Sequence, residues 1–377
     1  MPPHLEELNT LMPRINFLMD HLTLNVFSGS LKNRFIVSIL AVFNICFIYF
    51  LFTHLRNTIN VEINFNSLTS LLLFVLLCGY GIRTYVGVFK KKNIIQLIKN
   101  IKHLYEEKEE DEELEFISRK YFMNFMRIFQ IINRWGIRLF LAAAVFSYLY
   151  FRLNEDYGLI IDVPFIASNS STLSTETLYA LQGVMMGVMS NAIISLDLGI
   201  IFMGIQVTAE LYILIDNIKL MNEKIKTDPN FLRKIIKRHC SVIENVKLLN
   251  NIIFEASSVQ LIFTFVSLLF GFTFLIKHSM GIGNYMIIIC GATLGLPICI
   301  LGEFINVKTD ELSDTLYFCN WYDLNLRDQK IFLVTIGMAQ REYKLKALGM
   351  YNVNIYIFVQ ILKIAFTYCA LLYSLSK

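Results

Sequence analysis

Seven apolar stretches, at 34–54, 67–89, 135–153, 178–206, 259–276, 285–306 and 350–375, divide the chain, and Lys and Arg gather in alternate connections between them. Each stretch reaches or approaches the roughly 20 residues that an α-helix needs to cross about 30 Å of hydrocarbon. In that medium every backbone N–H and C=O must be paired within the chain, so such stretches fold as helices. A chain of 377 residues with 55% hydrophobic side chains and a mean hydropathy of +0.53 is too apolar for a soluble domain. The expected fold is all-α: a polytopic membrane protein with seven transmembrane helices.

The distribution of positive charge sets the expected orientation. The arm before the first span carries Arg14, Lys32 and Arg34; connections 90–134, 207–258 and 307–349 carry ten, eight and six basic residues. The alternate connections carry Arg56 in 55–66 and none in 154–177 or 279–284. Basic residues in short loops stay on the cytoplasmic side. The N-terminus is therefore expected in the cytoplasm and the C-terminus outside, opposite to a G-protein-coupled receptor. The one N-x-[ST] sequon, at Asn169, falls in the longest outer loop and is a candidate glycosylation site. All seven Cys (46, 78, 240, 290, 299, 319 and 369) fall in spans or inner connections, as expected for thiols kept reduced or buried. Residues 1–30 lack the continuous apolar core of a cleavable signal peptide.

The chain reads as one unit. Residues 1–33 form an N-terminal arm in which Leu5, Leu8, Leu11, Met12, Ile15, Leu18, Met19 and Leu22 recur at helical spacing, either along the inner membrane surface or packed on inner helices. Residues 34–306 carry the first six spans with cytoplasmic extensions, 307–349 an anchor region, and 350–377 the last helix. Ile94, Ile95, Leu97, Ile98, Ile101, Leu104 and Tyr105 pattern a helix that ends in a charged run, 106–115, suited to a solvated face or a joint. Phe231, Ile235, Ile236, Ile243, Val246, Leu249 and Ile253 line another. Apolar faces outside the bilayer must be buried, so the spans are expected to continue into an intracellular helical anchor bundle.

The last span is amphipathic in an unusual way. Advancing 100° per residue from Gln360, the side chains of Lys363, Ile364, Thr367, Leu371, Ser374 and Leu375 fall within about 60° of it. Polar groups in a bilayer face protein or water. A polar stripe closed by Leu371 and Leu375 suits a water-filled path with a hydrophobic gate. Hydrogen bonding of Gln360, Thr367 and Ser374 to neighbouring helices of the same subunit is the other reading. The remaining in-span charges, Arg83, Arg138, Asp197 and Glu303, suit pairing, snorkelling or a gating relay.

Within 308–377, Tyr317, Asn320-Trp321-Tyr322, Gln340-Arg341-Glu342, Leu345-Lys346-Ala347-Leu348-Gly349, Phe358, Leu362-Lys363 and Phe366-Thr367-Tyr368 running to Leu371-Leu372 resemble the C-terminal signature of insect odorant receptors. The resemblance implies an odorant-binding subunit of a heterotetrameric, ligand-gated, non-selective cation channel, formed with the odorant receptor co-receptor around a pore of seventh helices. It also implies the plasma membrane, in olfactory sensory neuron dendrites, with membrane lipid and a small volatile organic ligand as partners. The co-receptor and the related gustatory receptors carry Thr-Tyr, five apolar residues and Gln near the terminus; Ser374 replaces that Gln here. With no long second inner loop, the chain looks like a tuning subunit. The alternatives are a gustatory-type homomeric channel and a G-protein-coupled receptor. In the family the ligand pocket lies in the outer halves of the second, third, fourth and sixth helices. There this chain offers Phe74, Phe146, Tyr150, Tyr179, Met185, Met186, Met189, Tyr285 and Ile289, aromatic and thioether groups suited to dispersion contacts. No His/Cys/carboxylate cluster has metal spacing, no Walker loop appears, and the basic loops follow topology instead of marking nucleic acid. No enzyme activity, cofactor or metal is expected.

Overall fold

Helical periodicity carries past the hydrocarbon on most spans, and this determines the architecture. The computed structural model describes the chain apart from residues 1–2, 28, 59–64, 108, 110, 154–158, 164–171, 229, 278–281, 342, 348, 350 and 376–377. In order, the elements are α1 (Pro3–Leu22), α2 (Leu31–Thr58), α3 (Phe65–Phe89), α4 (Lys91–Glu106), α5 (Glu112–Leu153), α6 (Thr172–Lys219), α7 (Met221–Thr227), α8 (Phe231–Lys277), α9 (Ile282–Tyr317), a short 3₁₀ turn (Trp321–Asp323), α10 (Leu326–Ala339), β1 (Lys346–Ala347), β2 (Tyr351–Asn352) and α11 (Ile355–Leu375). Six of these helices are long and apolar enough to cross a membrane, and α11 supplies a shorter apolar one. The all-α, multi-span expectation holds.

Helices α5, α6, α8 and α9 contain 42, 48, 47 and 36 residues. At 1.5 Å per residue the first three run about 60–70 Å, twice the hydrocarbon thickness. The separate amphipathic helix expected at 231–256 and the span at 259–276 are one element, α8. The span expected at 135–153 is the second half of α5. Of the apolar face expected at 231–256, Phe231, Ile235, Ile243, Val246, Leu249 and Ile253 are buried and Ile236 is half-buried. Helix α6 runs through the centre, and its stretch from Ala192 to Ile218 is almost wholly buried.

α1 packs on this frame instead of lying free along the membrane. Leu8, Ile15, Leu18 and Leu22 are buried, facing α5 and α6 and reaching α2, α3 and α4. His21, which periodicity does not single out, is fully buried. Its Nε2 lies 3.0 Å from the Ala192 carbonyl oxygen and 3.1 Å from the Tyr80 hydroxyl. The close approach of α1 to α3 requires Gly87, where a Cβ would stand 1.9 Å from the Leu22 carbonyl oxygen.

The charged run 106–115 joins α4 to α5 and is tied down. Arg238 of α8 pairs with Glu109, and Lys224 of α7 lies 2.6 Å from Asp111 and 3.0 Å from Glu113. The Lys224 bond holds the Asp111 carboxyl below its usual range.

Candidate functional site: the last helix and the upper bundle

The final helix begins at Ile355, not at residue 350. β1 and β2 pair antiparallel, Lys346 opposite Asn352 and Ala347 opposite Tyr351, and the turn uses Gly349 at φ 71°, a conformation that glycine adopts without a Cβ penalty. Val353 N–H then donates to the Leu345 carbonyl at 2.8 Å, and the Val353 carbonyl sits where a Cβ on Gly302 would be, 2.0 Å away. Asn354 Oδ1 accepts from Ile357 N–H at 3.0 Å, and Glu303 Oε2 accepts from Ile355 N–H at 3.4 Å. A carboxylate at a helix N-terminus complements the helix dipole. Glu303, an in-span charge of unassigned role in the sequence, thus caps α11.

α11 buries one side against α8 and α9: Phe358, Ala365 and Cys369 are buried, and Phe366 meets Phe272 edge-on at 5.8 Å. The stripe picked out in the sequence lies on the other side. Lys363, Ile364, Thr367, Leu371 and Ser374 are exposed and Gln360 is half-buried. Thr367 and Ser374 donate to their own helix, to the Lys363 and Leu371 carbonyls, each at 2.8 Å. Among the described residues neither hydroxyl bonds another helix, and Leu371 stands 54% exposed. The Leu375 side chain lies outside the described set.

The candidate ligand residues divide. Met185, Met186 and Met189 are buried together along α6. Phe74 is half-buried, 6.4 Å from the Phe52 ring. Tyr179, also half-buried, lies under Arg152 at 5.5 Å. Phe146 and Ile289 are on exposed faces and do not join the methionines. The side chains of Tyr150 and Tyr285, and all of Asn169, lie outside the described residues.

Sequence reasoning assigned 154–177 to an outer loop and missed what its described part does. Ile160 and Ile161 are fully buried. Ile160 N–H donates to Gln182 Oε1 at 3.1 Å, and its carbonyl accepts from Ser70 Oγ at 2.8 Å. Asp162 is fastened to α2: its carbonyl accepts from Thr53 Oγ1 at 2.8 Å, its Oδ2 from Asn57 at 3.1 Å, and its Oδ1 lies 3.3 Å from His54 Nδ1. His54 beside it holds the Asp162 carboxyl below its usual range. This strap closes the end of the bundle between α2, α3 and α6, one turn of α6 away from Met185 and Met186. The apolar run Leu159-Ile160-Ile161 was the one signal available.

Deeper in the bundle, Arg83 of α3 forms a buried ion pair with Asp197 of α6, so pairing is the role of these two in-span charges. Toward the α1 end, Tyr105 donates to Gln206 Oε1 at 2.8 Å, and Asn245 bridges Asn100 and Glu210 with two 2.7 Å bonds. These bonds link α4, α6 and α8, while Gln206 Nε2 and Glu210 Oε1 remain buried without a hydrogen bond among the described residues. Among the described residues no group of three or more His, Cys, Asp or Glu is placed to hold a metal ion.

Three comparisons bear on this arrangement. The family model described as 7tm Odorant receptor matches residues 64–366. Odorant receptor 33b of Drosophila melanogaster is 26% identical over 148 residues, which cover 37% of this chain and 38% of that relative. The chain is therefore matched over well under half of that relative's length. The insect olfactory receptor OR5 from Machilis hrabei in complex with eugenol superposes with a TM-score of 0.75 at 11% identity, covering 99% of both chains. The same receptor in a second structure gives 0.68 at 12% identity over 98% of both. At such identity these structures establish a shared fold.

Proposed function

Because the chain belongs to the 7tm odorant receptor family, we propose that it is an odorant-binding tuning subunit of a ligand-gated, non-selective cation channel, assembled as a heterotetramer with the odorant receptor co-receptor. The observation that carries this reading is the orientation of α11. Its polar stripe, interrupted by Leu371, turns away from the subunit's own α8 and α9, and polar side chains in hydrocarbon require protein or water to face. In a ring of subunits, Gln360, Thr367 and Ser374 line an aqueous path, and Leu371, followed by Leu375, forms the apolar ring that closes it by dewetting.

The ligand site in this reading is the space beside Met185, Met186 and Met189, with Phe74 and Tyr179 at its margins and the 159–163 strap across its end. Eugenol, held by the structurally similar OR5, is of a size and polarity that thioether and aromatic walls suit. Binding opens the channel only by as much as the ligand prefers the open state's geometry. The N-terminus and the anchor region 307–349 lie in the cytoplasm in this reading, supported by the basic connections, which makes the Asn169 sequon a candidate glycosylation site on the outer side. The working location is the dendritic plasma membrane of olfactory sensory neurons.

The test is recording from cells expressing this chain with the co-receptor while G-protein signalling is blocked. Volatile ligands are expected to evoke a cation current, Leu371→Ala to raise the ligand-free current, and Leu371→Cys to make it sensitive to thiol reagents. Silence across broad panels with surface expression verified, or a Leu371→Cys channel indifferent to reagent both open and closed, overturns it.

A further inference from the structure

Between α1, the first turn of α2 and the first half of α4 lies an open-sided cavity of about 890 Å³. Its position is informative. Helix α2 (Leu31–Thr58) is long and apolar enough to cross a membrane, its apolar stretch begins at 34, and Phe27, Leu31 and Phe35, close in sequence to the lining residues Gly29, Lys32 and Ile36, stand 90%, 78% and 68% exposed. Large apolar side chains bare at the start of a span mark the depth at which lipid headgroups give way to acyl chains. The cavity therefore opens at headgroup level.

Its chemistry is graded. The rim carries Arg14, Lys32 and Lys91, and the single acid in the lining is Asp20. Asp20 is already engaged: Asn25 and Asn33 each donate a side-chain amide to it at 2.9 Å. Lys91 donates one of its protons to Asn25 Oδ1 at 3.0 Å, and Lys32 is exposed. Arg14 is held by Asn133 Oδ1 at 3.3 Å and lies over the Phe17 ring at 5.2 Å. Three cations against one committed carboxylate leave an excess of positive charge. Behind them the wall is apolar, formed by Phe17, Ile36, Ile94 and Ile98. A free inorganic anion has no use for that wall. A molecule with a phosphate at one end and hydrocarbon at the other uses both.

We propose that this cavity binds an anionic membrane phospholipid, its phosphate held by Lys32 and Lys91 and its glycerol and first methylenes set against Phe17 and Ile36. A lipid seated there joins α1 to α2 and α4, so membrane composition becomes part of what holds the arm in place. The proposal rests on α2 crossing the membrane and is independent of the odorant-channel reading.

The test uses the full-length receptor in phosphatidylcholine nanodiscs containing a minor fraction of phosphatidylinositol 4,5-bisphosphate, with retained lipid counted by native mass spectrometry. One lysine near a membrane surface contributes about a fivefold step in affinity for anionic lipid, so K32Q/K91Q is expected to weaken retention about 30-fold. K92Q/K99Q removes the same charge from α4 outside the cavity and is expected to leave retention near wild type. Should the double variant fail to assemble, K32Q alone, at an exposed position, is expected to give the single fivefold step. Equal losses in both double variants, or no loss in either, overturn the proposal. So does complete displacement of the lipid by an equal concentration of soluble inositol trisphosphate, because the apolar wall would then contribute nothing.

Discussion

Substituting Gly87 by Ala tests how α1 is held, and the structure gives it a sign opposite to that of an ordinary helical glycine. In a helix interior Gly→Ala is worth about 1 kcal/mol of added stability through the backbone alone. At Gly87 the new Cβ would lie 1.9 Å from the Leu22 carbonyl oxygen and 3.0 Å from its carbonyl carbon. Carbon and oxygen sit about 3.3–3.6 Å apart even in favourable contacts, so the backbones of α1 and α3 must separate by about 1.5 Å. A backbone carbonyl cannot rotate away as a flexible side chain can. α1 is also pinned in the turn before the contact by Leu18 and by His21, both fully buried. Overpacking of this kind costs about 1–3 kcal/mol, sometimes more, and here the upper end applies. Net destabilisation of about 2 kcal/mol is expected once the propensity gain is deducted. Gly337 of α10 supplies the internal control, since a Cβ there meets nothing within 4 Å. Gly337→Ala is expected to stabilise by about 0.5–1 kcal/mol. Thermal inactivation of the detergent-extracted receptor, followed by fluorescence-detected size exclusion at a fixed heating rate, ranks both variants against wild type. If Gly87→Ala matches or exceeds Gly337→Ala, the reasoning about α1 docking is wrong.

Further outcomes follow from the same geometry. Arg83→Ala leaves Asp197 buried without its partner, a change that typically costs about 3–5 kcal/mol, and is expected to abolish surface expression, whereas Arg83→Met combined with Asp197→Leu recovers most of it. Burial pushes the His21 pKa down to about 4, with the Ala192 carbonyl opposing and Arg14 adding to the shift. The unfolded arm takes up a proton near pH 6.5 that the docked arm refuses, so α1 docking is fully stable above that pH and weakens by up to about 3 kcal/mol as pH falls toward 4. Hydrogen exchange in 3–22 is expected to rise over that window, and His21→Gln to flatten the dependence. Asn325 caps α10 by accepting from Asp328 N–H at 2.9 Å; Asn325→Ala is expected to cost about 1 kcal/mol, read as faster proteolysis within 326–339.

Much of the candidate site was legible because it is one helix. The α11 stripe follows from 100° steps along a contiguous stretch, and so does its separation from the buried side formed by Phe358, Ala365 and Cys369. The ligand residues fared differently. Depth along a span can be read from position, but facing cannot when a helix is apolar all round. Met185, Met186 and Met189 turn inward, whereas Phe146 and Ile289 turn outward, and nothing local distinguishes the two sets. Glu303 looked like an isolated membrane charge until the 345–353 hairpin brought the N-terminus of α11 to it.

Local pattern alone determined the helical class, the number and placement of the apolar spans and the inward face of α1, because each depends on period and length within one segment. Tertiary structure decided which segments fuse into single long helices and how His21 comes to meet Ala192, 171 residues away. It also decided how Ile160 enters the bundle beneath Ser70, 90 residues back, and how three cations from separate helices come to share one cavity. Those arrangements pair groups across long chain separations, where the partner's identity is set by packing of the whole bundle and leaves no periodic trace in either segment.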